Sequence, residues 1–419
     1  VENFKELSVK GLITSMEGKN RFTQLGPRKP FFRIAAISAG VFTLVIPAVA
    51  QVSDLLTAFD SGSRASGAGG ALQGGGADTF STLANPAGLA YADRAQVQYA
   101  QKNRISTASV ASGTFANPSL SSNDDKGKAH YSHLGVLFPF EKVRRGGKGT
   151  ISFSYDLGGY LDDTMTASGN LSVGTGFAVR NFTQKRKVIQ DYYTLSYGNL
   201  AKGGALAYGF GLTIVNQKLD FRQTGELVDG NGQPVGGGQD VISFPDVSAN
   251  GLGLGIVGGV QYTPTNNQNR SFWASFRTPI SISDAGGRAA NLDVIPARLA
   301  LGAAQRFGSF IPQRKSDYMV AAVQFEGYFA GSTNKYFDTG NGSAFGLGVE
   351  YALDAGGTMI PLRLGYRSTK SSGQGFSDRD GITYGIGYTP NNYKFSIDLN
   401  YFKPRQGAED FTLTATYRF

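Results

Sequence analysis

The last ten residues, DFTLTATYRF, put Phe411, Leu413, Ala415, Tyr417 and Phe419 on one face and Thr412, Thr414, Thr416 and Arg418 on the other. The segment before it, YKFSIDLNYF, sets Tyr393, Phe395, Ile397, Leu399 and Tyr401 against Lys394, Ser396, Asp398 and Asn400. Alternation over this length means a strand with one apolar and one polar face. Fourteen such segments are predicted: 95–103, 130–140, 148–157, 188–199, 204–218, 252–262, 269–278, 296–307, 317–330, 343–353, 360–368, 381–389, 393–402 and 410–419. Composition agrees with strands rather than helices. The chain has 58 Gly, 29 Phe and 20 Tyr, and each glycine inside a helix costs about 1 kcal/mol.

In a water-soluble sandwich the apolar face would form a core, whereas in a membrane barrel it meets lipid and the polar face lines the lumen. Length separates the two. Soluble strands commonly have about 5 or 6 residues and spanning ones about 9 to 11, and these are of the second kind. Aromatic residues sit near strand ends, as Tyr393, Tyr401, Tyr417 and Phe419 do, where interfacial girdles lie. Connections alternate as well. Stretches such as Asp220 to Asn250 are long, while LAKGG (Leu200 to Gly204), TPTNNQN (Thr263 to Asn269) and PNN (Pro390 to Asn392) are short. The expected fold is therefore all-β: a 14-stranded antiparallel transmembrane β-barrel over 95–419, with short turns on the periplasmic side.

Ahead of the strands, Arg28, Lys29 and Arg33 precede the apolar run Ile34 to Ala50, which ends in Ala48-Val49-Ala50. A basic flank, an apolar stretch and an A-x-A exit predict a cleaved export signal with its core at 28–50. The run is short for a membrane-spanning helix and carries Pro47 near its end. Residues Val1 to about Pro27 look unlike a signal or a domain and are expected to include an over-extended start, with Met16 one candidate initiator, so 1–50 is treated as leader. It holds seven Lys/Arg and three Asp/Glu, so its removal takes the net charge from +9 to +5. No basic stripe interleaved with aromatics remains, which argues against nucleic acid.

Several chemical motifs fail in context. Gly253-Leu254-Gly255-Ile256-Val257-Gly258 satisfies G-x-G-x-x-G, yet it lies inside a strand rather than at a strand-to-helix turn. Its glycines are expected to face the lumen, where another segment packs close. His130 and His133 are the two histidines and have no clustered partners, and there is no cysteine. No metal site, cofactor or enzymatic chemistry is expected.

About eight strands make a barrel that side chains alone can fill, so fourteen leave a lumen that needs a plug. Residues 51–94 precede the first strand and include SGSRASGAGGALQGGGADTFSTLANPAGLA. A flexible linker would be monotonous in Gly and Ser. This stretch instead interleaves Arg64, Asp78, Phe80, Leu83, Asn85 and Pro86, and its glycines suit close approach to a wall. It is expected to be a hatch inside the lumen.

SGSRASGAGGA followed by NPAGLA resembles the hatch of the FadL/TodX outer-membrane transporters of fatty acids and aromatic hydrocarbons. The matching positions are Arg64, Ala65, Gly67, Gly69 and Ala71, with one residue inserted, and then Asn85, Pro86 and Ala87. IPARLALGAAQRF (Ile295 to Phe307) and GLGVEYAL (Gly346 to Leu353) are similar to the family's barrel strands. Secretion-associated PorV-like proteins share this motif.

The resemblance implies passive uptake without chemistry: an apolar ligand is captured among the outer loops, passes to a pocket beside the hatch, and leaves sideways through a kinked strand into the outer membrane. Loop candidates for capture are Tyr160, Leu161, Leu171, Phe177 and Phe182, and Leu227, Val235, Val241, Ile242 and Phe244; the same residues could instead pack together as a loop cap. Val52, Leu55, Leu56 and Phe59 are candidates for lining the inner pocket or for the hatch core. Parity places Arg298 and Arg363 on the lumen side with Glu326 and Asp398, either as cations for a ligand carboxylate or as salt bridges. The expected partners are outer-membrane lipid, lipopolysaccharide and a hydrophobic small molecule, with the protein a monomer. The alternative is a barrel scaffold for a secretion or surface-attachment system; an open porin is disfavoured by the plug.

Overall fold

The structure, a computed structural model, describes residues 62–105, 119–121, 129–141, 148–167, 171–174, 177–229, 231–234, 247–284, 293–311, 313–329, 342–370, 379–405 and 409–419. The strands of the first half are β1 (Gln96–Ile105), β2 (Ser119–Ser121), β3 (Ala129–Glu141), β4 (Lys148–Ala167), β5 (Leu171–Gly174), β6 (Phe177–Leu200), β7 (Leu206–Asp229), β8 (Val247–Tyr262) and β9 (Arg270–Arg277). Those of the second half are β10 (Ile280–Asp284), β11 (Asp293–Ile295), β12 (Ala297–Gly308), β13 (Tyr318–Phe329), β14 (Gly342–Ala355), β15 (Thr358–Lys370), β16 (Arg379–Tyr388), β17 (Phe395–Pro404) and β18 (Glu409–Arg418).

Fourteen of these are the staves of a closed antiparallel barrel. β2, β5, β10 and β11 are short additions beside them, and β1 pairs with β18 from Gln96↔Arg418 to Ile105↔Glu409 to close the ring. Closure leaves no open sheet edge, which is what lets strands cross lipid. Every predicted strand is present. Among the described residues no helix is long and apolar enough to cross a membrane.

Burial is the reverse of a soluble protein's. Leu134, Phe153, Leu195, Leu254, Leu347, Leu364 and Ile386 are exposed on the outside, while Thr414, Ser154, Thr194, Thr213 and Gln217 are buried inside. Alternation in the sequence thus becomes an apolar outer band around a polar lumen. On β18, Thr412, Thr414 and Thr416 are buried and Tyr417 is exposed, as parity requires.

Some expectations need correction. Stretches read as outer loops are largely strand: β4 runs to Ala167, β6 starts at Phe177, β7 runs to Asp229 and β8 starts at Val247. Tyr393 is not the first residue of a strand but sits in the preceding turn at φ 53°. Gly253 and Gly255 face inward as expected, whereas Gly258 faces outward: a Cβ there would meet nothing nearer than Gly209 O at 3.9 Å.

One part of the wall departs from regularity. Arg277 pairs with Arg298 and Ile280 with Ile295, so Pro279 and Pro296 fall opposite each other between them. Neither proline can donate to the ladder, and Thr278, Pro279 and Pro296 lie outside the strands. Beyond this point Ile280, Ile282 and Ile295 are fully buried. A Cβ on Gly255 would lie 2.6 Å from Ile280 Cγ1, and one on Gly253 2.6 Å from Ile282 Cδ1. Bare glycines on the inner face of β8 therefore receive the inward-bent β10.

Candidate functional site

The lumen holds the segment 62–92. It forms two short helical turns, Ser63–Gly67 and Ser81–Ala84, and two 3-10 turns, Gln73–Gly75 and Pro86–Tyr91. Its bonds reach the wall on all sides. Ser63 Oγ is 2.6 Å from Thr414 Oγ1 on β18, Gly69 N donates to Thr383 Oγ1 on β16, and Gly74 N donates to Gln324 Oε1 on β13. Thr82 Oγ1 is 2.6 Å from Ser152 Oγ on β4, and Ser196 Oγ on β6 donates to Thr82 O. Buried backbone polar groups need such partners, and a polar lumen supplies them.

Glycine lets the two backbones touch. Gly69 has φ +68°, and a Cβ on it would lie 2.5 Å from Tyr366 O. From the wall, a Cβ on Gly365 would lie 2.2 Å from Gly69 N, and one on Gly348 2.1 Å from Ala68 O. The Asn-Pro-Ala stretch has an equally local cause. Asn85 Oδ1 accepts from Ala87 N at 3.3 Å, capping the turn that Pro86 opens, and Asn85 Nδ2 donates to Gly74 O at 2.6 Å. Pro is suited to that first position because its missing N–H has no partner there anyway. Trp273, the one tryptophan, is held between Gly74 and Gly302, and its Nε1 donates to Gln324 Oε1 at 3.0 Å.

Charged groups tie segment to wall. Arg64 forms a two-point bond to Glu350, Nε to Oε2 at 3.0 Å and Nη2 to Oε1 at 2.9 Å. Glu350 also accepts from Arg363 Nε at 2.7 Å, and Arg363 Nη1 reaches Asp398 Oδ1 at 2.6 Å. Arg298 Nε donates to Glu326 Oε2 at 3.0 Å and its Nη1 to Ala84 O at 3.3 Å. His133 lies between Asp156 Oδ1 and Thr79 Oγ1, 2.6 Å from each, and stacks on Phe80. Within the segment, burial raises the Asp78 carboxyl above its usual range, against the pull of Arg64.

Above the segment, toward the long connections, is an apolar cluster in which Val188, Tyr192, Val215, Leu219 and Tyr328 surround Ile280, Ile282 and Ile295. Leu83 of the segment packs against it. Two irregularities of the wall border this cluster. The β4 ladder slips between Leu157 and Gly159, where a Cβ on Gly158 would lie 2.1 Å from the Tyr192 ring. The β8 ladder passes from Val257↔Arg277 to Leu252↔Ser283, so four residues of β8 face five of the neighbouring chain. A cleft of about 10 Å³ lies beside Phe80, Leu83, Gly158, Arg277 and Arg298. A wider vestibule of about 450 Å³ opens at the short-turn end, beside Arg64, Arg94, Arg363, Thr389, Tyr393 and Arg418.

The hatch-motif residues meet the wall at two separate places: Arg64, Gly67 and Gly69 against β14 to β16, and Asn85, Pro86 and Ala87 against Gly209 of β7 and Gly259 of β8. Arg298 and Arg363 face the lumen, in ion pairs with Glu326, and with Glu350 and Asp398. Val52, Leu55, Leu56, Phe59 and Phe244 lie outside the described residues, as do the side chains of Phe177 and Phe182, whose backbone belongs to β6. The leader 1–50 also lies outside them. Sequence reasoning missed Glu350, which parity on GLGVEYAL would have put inside, and Arg277.

Neither a family model nor a curated protein sequence matches the chain. Solved structures do. The P. putida toluene transporter TodX aligns over 86% of this chain and 98% of its own, at 12% identity and TM-score 0.52. The CymD monoaromatic hydrocarbon channel aligns over 85% and 97%, at 10% identity and TM-score 0.50. The chain has the fold of these channels. A Pseudomonas aeruginosa FadL homologue also aligns, over 86% and 98%, at 15% identity and TM-score 0.47.

Proposed function

We propose that this barrel is an outer-membrane channel, not an enzyme, for passive uptake of hydrophobic compounds such as long-chain fatty acids or aromatic hydrocarbons, with sideways release into the bilayer. The observation that carries it is the cluster of large apolar side chains around Ile280 and Ile282, inside a barrel whose inner wall elsewhere carries many Thr, Ser, Gln and ion-paired side chains. A polar lumen has no structural need of such a patch, whereas an apolar solute leaving water does.

The β4 slip at Leu157/Gly159 beside Tyr192 is the kink through which release is proposed, because it borders the same cluster. Segment 51–94 acts as the hatch that keeps polar solutes out. Residues 1–50 act as the export leader. The closed ring leaves no edge for a partner strand, which favours a monomer in contact with lipid and lipopolysaccharide.

A densely occupied lumen is what favours the alternative, a barrel serving as scaffold. Proteoliposome uptake separates the two. The channel takes up labelled toluene or oleate and excludes arabinose in a swelling assay; a scaffold passes neither, and an open porin passes arabinose.

A further inference from the structure

Charge is out of balance at the short-turn end of the barrel. Lys202, Arg270, Arg306, Lys315, Lys394 and Arg418 have no carboxylate within 4.0 Å among the described residues, the C-terminal one of Phe419 included. The carboxylate side chains described at this end are engaged elsewhere: Asp93 pairs with Arg94 at 3.8 Å, Asp317 with Arg314 at 2.7 Å, and Asp354 accepts from Gly357 N at 2.6 Å. An excess of one sign attracts the other over a Debye length of about 8 Å at physiological salt.

Part of this charge gathers at the vestibule. Arg418 lines it, and its Nη1 reaches Tyr393 O and Ser396 Oγ at 3.4 Å each, longer than an ordinary hydrogen bond. Arg306 stacks over the ring of Tyr318, another lining residue, at 3.9 Å from its centre. Lys394 is exposed next to Tyr393 in the turn between β16 and β17. Farther in, Glu350 and Asp398 are held by Arg64 and Arg363 and do not cancel these cations. Tyr318, Met359, Pro361 and Tyr393 add apolar surface to the same wall.

The place and spread of the cations decide what answers them. Phospholipid headgroups suit Arg270, which bonds Gln305 on the outward face near the exposed Phe272, but the vestibule opens inside the ring, away from the bilayer. A small anion is too short. Arg306 and Arg418 stand on β12 and β18 with five staves between them, and neighbouring strands are about 4.8 Å apart. An extended peptide rich in Asp and Glu spans that distance, and its side-chain stems can pack on the tyrosines.

We propose that the vestibule docks an acidic peptide segment of a soluble protein on the short-turn side, which is the periplasm on the channel reading. The contact goes beyond that reading and is independent of which compound the barrel carries. Exposed charges of this kind speed encounter and select the partner more than they hold it, so the contact is reversible and salt-sensitive.

Fluorescence anisotropy of fluorescein-labelled hexaglutamate tests this, with the full mature chain in phosphatidylcholine nanodiscs at low salt. Wild type is expected to bind hexaglutamate saturably and not to bind hexaglutamine. Arg306→Gln, Lys394→Gln and Arg418→Gln combined weaken binding about tenfold, as the loss of three exposed charge pairs implies. Lys202→Gln, in the β6–β7 turn and off the vestibule wall, leaves binding unchanged. Because Arg418 lies in the strand that closes the ring, Arg306→Gln with Lys394→Gln is measured too, both side chains being exposed, and a smaller loss is expected.

No binding by wild type, or equal binding by wild type and both combined variants, overturns the docking site. An equal loss on Lys202→Gln overturns it as well, in favour of general surface charge. Phosphatidylglycerol retained by wild type and lost from the triple variant, without hexaglutamate binding, assigns the cations to lipid instead. Uptake of toluene or oleate is a separate measurement, so the channel reading stands or falls apart from these outcomes.

Discussion

Arg64, in the first helical turn of the lumen segment, grips both carboxylate oxygens of Glu350 on β14, 286 residues away in sequence, at 3.0 and 2.9 Å. Two parallel charge-assisted bonds of this kind fix orientation as well as distance. Glu350 is itself shared with Arg363, which holds Asp398 on β17. One carboxylate thus ties the segment to two further staves of the ring.

Arg64→Ala removes the segment's side of that link but leaves Glu350 bound to Arg363. The expected cost is about 1.5–3 kcal/mol, the range for hydrogen bonds to a charged group. If the lumen segment is the hatch proposed above, loosening it should also raise ion conductance in planar bilayers, with Arg64→Lys intermediate because it offers a point charge in place of the fork. Unchanged conductance and melting temperature would mean that the ion pair holds nothing.

Gly365→Val should block correct assembly rather than tune it. The added Cβ would lie 2.2 Å from Gly69 N and 2.4 Å from Ala68 C, both backbone atoms that cannot rotate away. Overpacking of this kind costs about 1–3 kcal/mol, and occasionally more. Heat-modifiable mobility on gels reads the outcome, and a variant that assembles like wild type would refute the contact.

Trp273 is the single tryptophan and touches Gly74 of the segment. Its fluorescence therefore reports how the lumen segment is seated. Wild type should emit at short wavelength and resist acrylamide quenching. Gly74→Val, whose Cβ would lie 2.2 Å from Trp273 Cδ1, should shift emission to the red and admit quencher.

Asp78 gives the pH dependence. Burial raises its pKa in the folded state, so the folded protein holds this proton more tightly than the unfolded chain does. The proton's contribution to stability is fully present below the unfolded value and is lost as pH rises through the raised one. Asp78→Asn should accordingly match wild type in acid and melt higher than wild type near neutral pH. Parallel melting curves across pH would contradict the assignment.

The fourteen staves could be read from the sequence because lipid on one side and water on the other enforce alternation along each strand. That constraint ends where the strands rise beyond the bilayer. Thr183 to Lys187 of β6 and Arg222 to Glu226 of β7 remain strand without an apolar face, which is why they read as loops. The contacts of Arg64, Gly69 and Asn85 depend on which stave stands opposite, information that a linear pattern lacks. Parity puts Arg298 inside, whereas Arg277, at the end of β9, is not singled out by it. Only the ring's registers show that Arg298 meets Glu326 and that Arg277 meets no carboxylate among the described residues.

The most direct measurement is mass spectrometry of small molecules extracted from the protein purified in mild detergent from its native outer membrane. The account predicts a stoichiometric hydrophobic compound, a fatty acid or a hydrocarbon. Protein that carries no such compound, and instead co-purifies with a stoichiometric protein partner, would contradict it.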